Sequence, residues 1–205
     1  MKNLKKLSII VAIMMFSIVM VSCSKPKTTP VEGTQILLDM LFKDDKSNIS
    51  KIGVDDAEYE LFRKELDSGY MEGFTQSTTG STISEEDQNK LKEAIFTGMS
   101  KIQYEVSEIS TDKDTAKVEV KIKGFDLNKI INDSSAKITA AVFADLSMSQ
   151  EDIMKLSTNA VSEAFANGTF VEEFKSVTLN LTLQDNMWVP QENDIYALMG
   201  AAINI

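Results

Sequence analysis

Carboxylates and phenols are the side chains through which this chain could do chemistry. Acids come in pairs and short runs: Asp44-Asp45, Asp55-Asp56, Glu85-Glu86-Asp87, Asp112 with Asp114, Glu151-Asp152 and Glu172-Glu173. Such groupings can ligate calcium or share proton transfer between two carboxyl groups. None follows the spacing of a calcium loop, and the stretch from Asp44 to Gly53 lacks both the spaced acids and the central glycine. Most stand at expected helix starts, where a carboxylate caps free N–H groups and offsets the macrodipole, so a structural role is expected for them. The four tyrosines are Tyr59, Tyr70, Tyr104 and Tyr196. Any of them could serve a pocket enzyme of isomerase or dehydratase type if it lay beside a buried carboxylate of raised pKa. Histidine is absent, which excludes Ser-His-Asp and Cys-His nucleophilic sites, histidine-bound zinc or iron, and an imidazole pH switch. There is no Gly-x-Gly-x-x-Gly, Walker or Gly-x-Ser-x-Gly motif. The expectation is a non-enzyme with no catalytic residue, no metal site and no cofactor.

The remaining reactive group is Cys23, the sole cysteine, which rules out an internal disulfide and a cysteine-rich metal site. It follows a short basic start (Lys2, Lys5, Lys6) and a run from Leu7 to Val21 that is apolar except for Ser8 and Ser17. As a helix that run spans roughly 22 Å, short for a hydrocarbon core of ~30 Å and suited to a signal-peptide core. Met20-Val21-Ser22-Cys23 resembles the lipobox of bacterial prolipoproteins, with a small residue before the cysteine and Met20 where leucine is usual. The resemblance implies cleavage between Ser22 and Cys23 and acylation, for instance by palmitate, of the Cys23 sulfur. Two or more acyl chains hold a protein stably on a bilayer, where one does so marginally. Residues 1–22 are therefore expected to be a lipoprotein signal peptide, 23–29 a lipidated tether and 30–205 a single domain. The expected location is the extracytoplasmic face of the cell membrane.

Charge narrows the partners further. Of 21 basic residues, Lys2, Lys5 and Lys6 precede Cys23 with no acid among them, leaving 18 basic against 31 acidic side chains, a formal −13. So acidic a body is repelled by phosphate backbones, and nucleic acid is not an expected partner. Lysine outnumbers arginine twenty to one, with Arg63 alone, which reads as genome composition. With 43% hydrophobic and 25% charged residues the chain can build an ordinary core.

The elements that would position these groups are marked by caps and periodicity. Thr29-Pro30-Val31-Glu32 starts a helix to about Lys43, burying Leu37, Leu38 and Leu41. Asp45–Gly53 reads as a loop. Asp55 with Glu58 opens a second helix whose stripe is Tyr59, Phe62, Leu66, Tyr70 and Phe74. Gln76–Ile83 reads as a loop, and Ser84 with Asp87 opens a third helix with Leu91, Ala94, Ile95, Gly98 and Met99 inward. Period 2 then takes over in Ile102-Tyr104-Val106 and Val118-Val120-Ile122, joined by a turn at Thr111–Asp114. It returns in Val177-Leu179-Leu181-Leu183, which turns at Gln184–Asn186 into Met187–Val189. Between these hairpins two helices are expected, one from Asp126 to about Leu146 with Leu127, Ile130, Ile131, Ile138, Ala141 and Val142 inward. The other runs from the Ser149/Asp152 box to Asn167-Gly168, and a last helix follows Pro190. Gly69 and Gly73 would allow a close helix contact. The seven methionines after Cys23 and Trp188 are read mainly as core.

These elements make an α+β fold: a four-stranded antiparallel curved sheet of two hairpins, packed on N-terminal helices, with a helical insertion between the hairpins. The lipobox, the Thr29-Pro30 start, the Lys117–Phe125 strand running into Asp126-Leu127, and the closing Met187-Trp188-Val189-Pro190 resemble a known group. It comprises small Gram-positive lipoproteins carrying a domain of unknown function with a cystatin-like, nuclear-transport-factor-like fold. That resemblance implies a curved sheet wrapped on helices, often around an apolar pocket, and implies no activity. The expected function is a membrane-anchored binding module for a small molecule, peptide or envelope protein. The pocket enzyme above and a structural envelope interaction module are the alternatives.

Overall fold

The computed structural model describes residues 26–77 and 84–203, with backbone alone for 70–77. Cys23, Ser22 and the rest of the expected signal and tether up to residue 25 lie outside the described residues, as do the side chains of Tyr70, Gly73 and Phe74. Helix α1 spans Pro30–Lys43, and Thr29 caps it by accepting the Glu32 N–H. A 3-10 turn at Ile49–Ile52 interrupts the expected loop. Helix α2 spans Asp56–Ser77 and α3 spans Glu85–Met99. The Asp55 carboxylate takes the Glu58 N–H while Glu58 takes the Asp55 N–H, and Ser84 caps α3 through Asp87. Of the acids at these starts, Asp55 acts as a cap and Asp87 accepts the hydroxyl of the capping Ser84.

Strands β1 (Gln103–Thr111) and β2 (Thr115–Lys123) form one antiparallel hairpin, and β3 (Lys175–Gln184) and β4 (Met187–Pro190) form the other. Asp185 and Asn186 both adopt positive φ, the conformation of a two-residue primed turn. The sheet order is β1-β2-β3-β4, so β2 pairs antiparallel with β3 although residues 124–174 separate them. Val118, Val120, Ile122 and Leu179 have no exposed surface, while the other face carries Lys117, Lys121 and Thr178. On the buried face lie α1 and α6 (Glu192–Ala202), through Leu38, Met40 and Leu198. These buried side chains pack between the sheet and the helices. At the β1 edge a register shift between Glu108 and Ser110 leaves Ile109 exposed, a bulge that blunts an edge strand.

Helices α4 (Leu127–Ala144) and α5 (Gln150–Asn167) form the insertion between hairpins. They pack on each other and, through α5, along α3. The inward stripe expected on α4 is only partly covered: Ile130 is 2% exposed, but Ile131 is 59% exposed, because α4 is the edge helix of this layer. Trp188 is half-buried, and its Nε1–H donates to the Thr28 carbonyl at 3.1 Å. Thr28 is itself 5% exposed. Among the described residues, no atom lies within 4 Å of where a Gly69 Cβ would sit, while Gly98 makes a close contact with α5.

Candidate functional site

At the end of α1 the chain leaves the helix through Asp44 in the left-handed conformation, which aspartate tolerates better than most residues. That turn brings two carboxylates, Asp39 and Asp44, against two of the tyrosines. The Tyr104 hydroxyl, on β1, donates to Asp39 Oδ1 at 2.6 Å. Asp39 also accepts from Lys43 at 2.9 Å and from Gln35 at 3.3 Å. Lys43 Nζ lies 4.5 Å over the Tyr104 ring. On the other side, the Tyr59 hydroxyl donates to Asp44 Oδ1. Arg63, one turn further along α2, places its Nε 3.1 Å from the same oxygen and its guanidinium 5.0 Å over the Phe96 ring of α3. Tyr196 donates to Glu192, a turn away on its own helix, and takes no part in this cluster.

Burial raises the pKa of Asp39, but the hydrogen bonds from Tyr104, Lys43 and Gln35 outweigh it and leave the carboxyl below its ordinary value of 3.8. Burial, then the bond to an adjacent carboxylate, pushes both Tyr104 and Tyr59 upward. For the Asp39–Tyr104 pair this is the reverse of what proton transfer near neutrality needs, a carboxyl of raised pKa. These pairs act as struts that hold α1 against β1 and α2.

The sign of the resulting pH dependence follows. A carboxyl whose folded pKa is depressed adds stability above its unfolded value and loses it as pH falls through the folded one. Asp39→Asn is therefore expected to cost about 1–2 kcal/mol at neutral pH. It should also flatten the fall of the melting temperature between about pH 5 and pH 3. Thermal melts of both proteins across that range check it.

Beside Asp44 and Tyr59 a cleft of about 580 Å³ opens along α2, lined also by Lys46, Glu60, Arg63 and Asp67. Lys46 lies 3.3 Å from Asp56 and 3.7 Å from Glu60, while Lys92 lies 3.8 Å from Asp67. A smaller recess of about 330 Å³ lies over the Thr115 end of the sheet. Sequence reasoning singled out Tyr59 and the Asp44-Asp45 pair but not Arg63, Phe96 or Lys46 as partners. The one available signal was that Arg63 is the only arginine among twenty lysines, where a planar cation is needed for stacking.

The molecule is thus an α+β fold with a charged cleft at the far end of its first helix. Residues 20–201 match a family described as a domain of unknown function (DUF5105), and the chain belongs to that family. Its fold is similar to the crystal structure of a proposed lipoprotein, YcdA, from Bacillus subtilis subsp. subtilis str. 168, with a TM-score of 0.69 and 19% sequence identity. The likeness covers 87% of this chain and 56% of that one, so the chain spans little more than half the length of that relative. No curated protein matches the sequence significantly. Among the described residues no helix is long and apolar enough to cross a membrane.

Proposed function

We propose that this protein is a lipid-anchored, extracytoplasmic binding lipoprotein without catalytic activity. Cys23 is its attachment point and the α2 cleft its binding site. The observation that carries the reading is the place of the only cysteine, directly after an apolar run too short to span a bilayer. The likeness to a proposed lipoprotein supports it, as does the geometry of α1. Cys23 is five residues before the docked Thr28, which limits the lipid-to-domain distance to roughly 18 Å. Helix α1 starts at that end and runs for 14 residues, about 21 Å, to the cleft. In this reading the tether attaches near the start of α1 and the cleft lies at its other end. The cystatin-like part of the resemblance belongs to the same proposal, supported by the four-stranded antiparallel order with α1 across one face, and the Gram-positive part is supported by the likeness to a Bacillus subtilis protein.

Growth on radiolabelled palmitate tests the anchor. The wild type is expected to carry label and sediment with membranes, and Cys23→Ala to be unlabelled and released. An unlabelled wild type would sink the reading. A second reading, an interaction module in envelope assembly, draws on Phe143 and Leu146. They are 76% and 83% exposed at the tip of the helical insertion, and large exposed apolar side chains mark contact surfaces. Cross-linking in intact cells through that tip distinguishes the two.

A further inference from the structure

Arg63 is nearly enclosed and is engaged by Asp44 through only one nitrogen of its fork. A guanidinium carries five N–H donors in a fixed fork. The side chain is only 16% exposed and is oriented by the 3.1 Å contact of its Nε with Asp44 and by the Phe96 stack, and among the described residues no other carboxylate pairs with its guanidinium. Lys64, next along α2, lines the same cleft and has no ion-pair partner among the described residues. One turn back, Glu60 is 69% exposed and only 3.7 Å from a lysine already nearer Asp56. Helix geometry puts Glu60 on the same face as Arg63 and Lys64, at three and four residues. A base pair of donors and a loosely held acceptor therefore stand side by side.

The charge balance selects the ligand. The cleft is lined by three bases (Lys46, Arg63, Lys64) and three acids (Asp44, Glu60, Asp67), formally neutral on a chain of −10. An anion alone would add charge to an acidic molecule, and a cation alone would leave the guanidinium unsatisfied. We infer that the cleft binds a small zwitterion, a free amino acid or short peptide, its carboxylate on Arg63 and Lys64 and its ammonium on Glu60. Bidentate capture of a carboxylate by arginine supplies the orientation, and the volume of about 580 Å³ is that of a small-molecule site. The inference rests on the domain being a binding module and names what it binds.

The test uses the full-length protein in detergent, screened by thermal shift and then calorimetry. The probes are the twenty free amino acids and glycylglycine, with acetate, ethylamine and inorganic phosphate as single-charge controls. At least one zwitterion should bind, and each single-charge control should bind about tenfold or more weakly. Arg63→Lys keeps the charge but loses the fork, and Glu60→Gln alters an exposed acid; each should weaken binding about tenfold, with melting curves showing both folded. Three results overturn the inference: no zwitterion binds, acetate or phosphate binds as tightly, or neither substitution changes affinity. If another ligand co-purifies in native mass spectrometry, the binding-module reading survives while the zwitterion assignment falls. If Cys23 also proves unlabelled, the anchoring reading falls separately.

Discussion

Replacing Gly124 with alanine is expected to destabilise the domain by about 3 kcal/mol or more, lowering its melting temperature by roughly 6–12 °C. Gly124 follows β2 where the chain turns toward α4, and the end of α6 packs directly against it. An added Cβ would stand 2.1 Å from the Ala201 carbonyl oxygen and 2.6 Å from that of Ala202. Neither side can yield freely. The Ala202 oxygen accepts the Phe125 N–H at 2.8 Å, and the Gly124 oxygen accepts the Val171 N–H at 3.0 Å. Overpacking a core usually costs about 1–3 kcal/mol because side chains can shift; here the obstacle is hydrogen-bonded backbone, so the upper end applies. Urea unfolding and thermal melts give the value. A variant melting within a degree or two of the wild type would mean that α6 is not seated there.

Gly98→Ala is expected to have a comparable effect at the other close contact, the crossing of α3 over α5. Its Cβ would fall 2.2 Å from the Phe165 carbonyl oxygen and 2.8 Å from Phe125 Cζ. Phe125 cannot move aside easily: it is 1% exposed, edge-on to Phe165 at 5.0 Å and tilted against Phe170 at 5.1 Å. A loss of about 3 kcal/mol is expected. Gly69→Ala on α2 is the counterpart, since no atom of the described residues lies within 4 Å of its Cβ position. There alanine removes only the backbone-entropy cost of a helical glycine, a gain of about 1 kcal/mol. The two substitutions, chemically identical and both helical, should shift the urea midpoint in opposite directions. Equal shifts would contradict the packing described.

Much of the fold was legible before any coordinates. Helix starts at Thr29, Asp55, Ser84, Asp126 and Ser149 are caps built within three residues, and the strands announce themselves by alternation over a few more. The turn at Asp185-Asn186 is equally local. Less legible was coverage. Ile131 carries the same apolar signal as Ile130, yet only Ile130 is buried, because periodicity marks a face without saying whether a neighbour will cover it. The same limit kept the close contact at Gly98 from being read off the sequence, whereas the Gly69 position meets no described atom.

The candidate site divides along the same line. Composition alone excluded histidine chemistry, and the order of charge, apolar run and lone cysteine alone supplied the lipobox reading. The pairing of β2 with β3 across residues 124–174 was decided by tertiary structure, and so was the meeting of Asp44, Tyr59, Arg63 and Phe96. The reason is range. Caps and alternation rest on bonds between residues a few positions apart, whereas the cleft exists only once α1, α2 and α3 are stacked, and that stacking is set by which apolar faces bury one another.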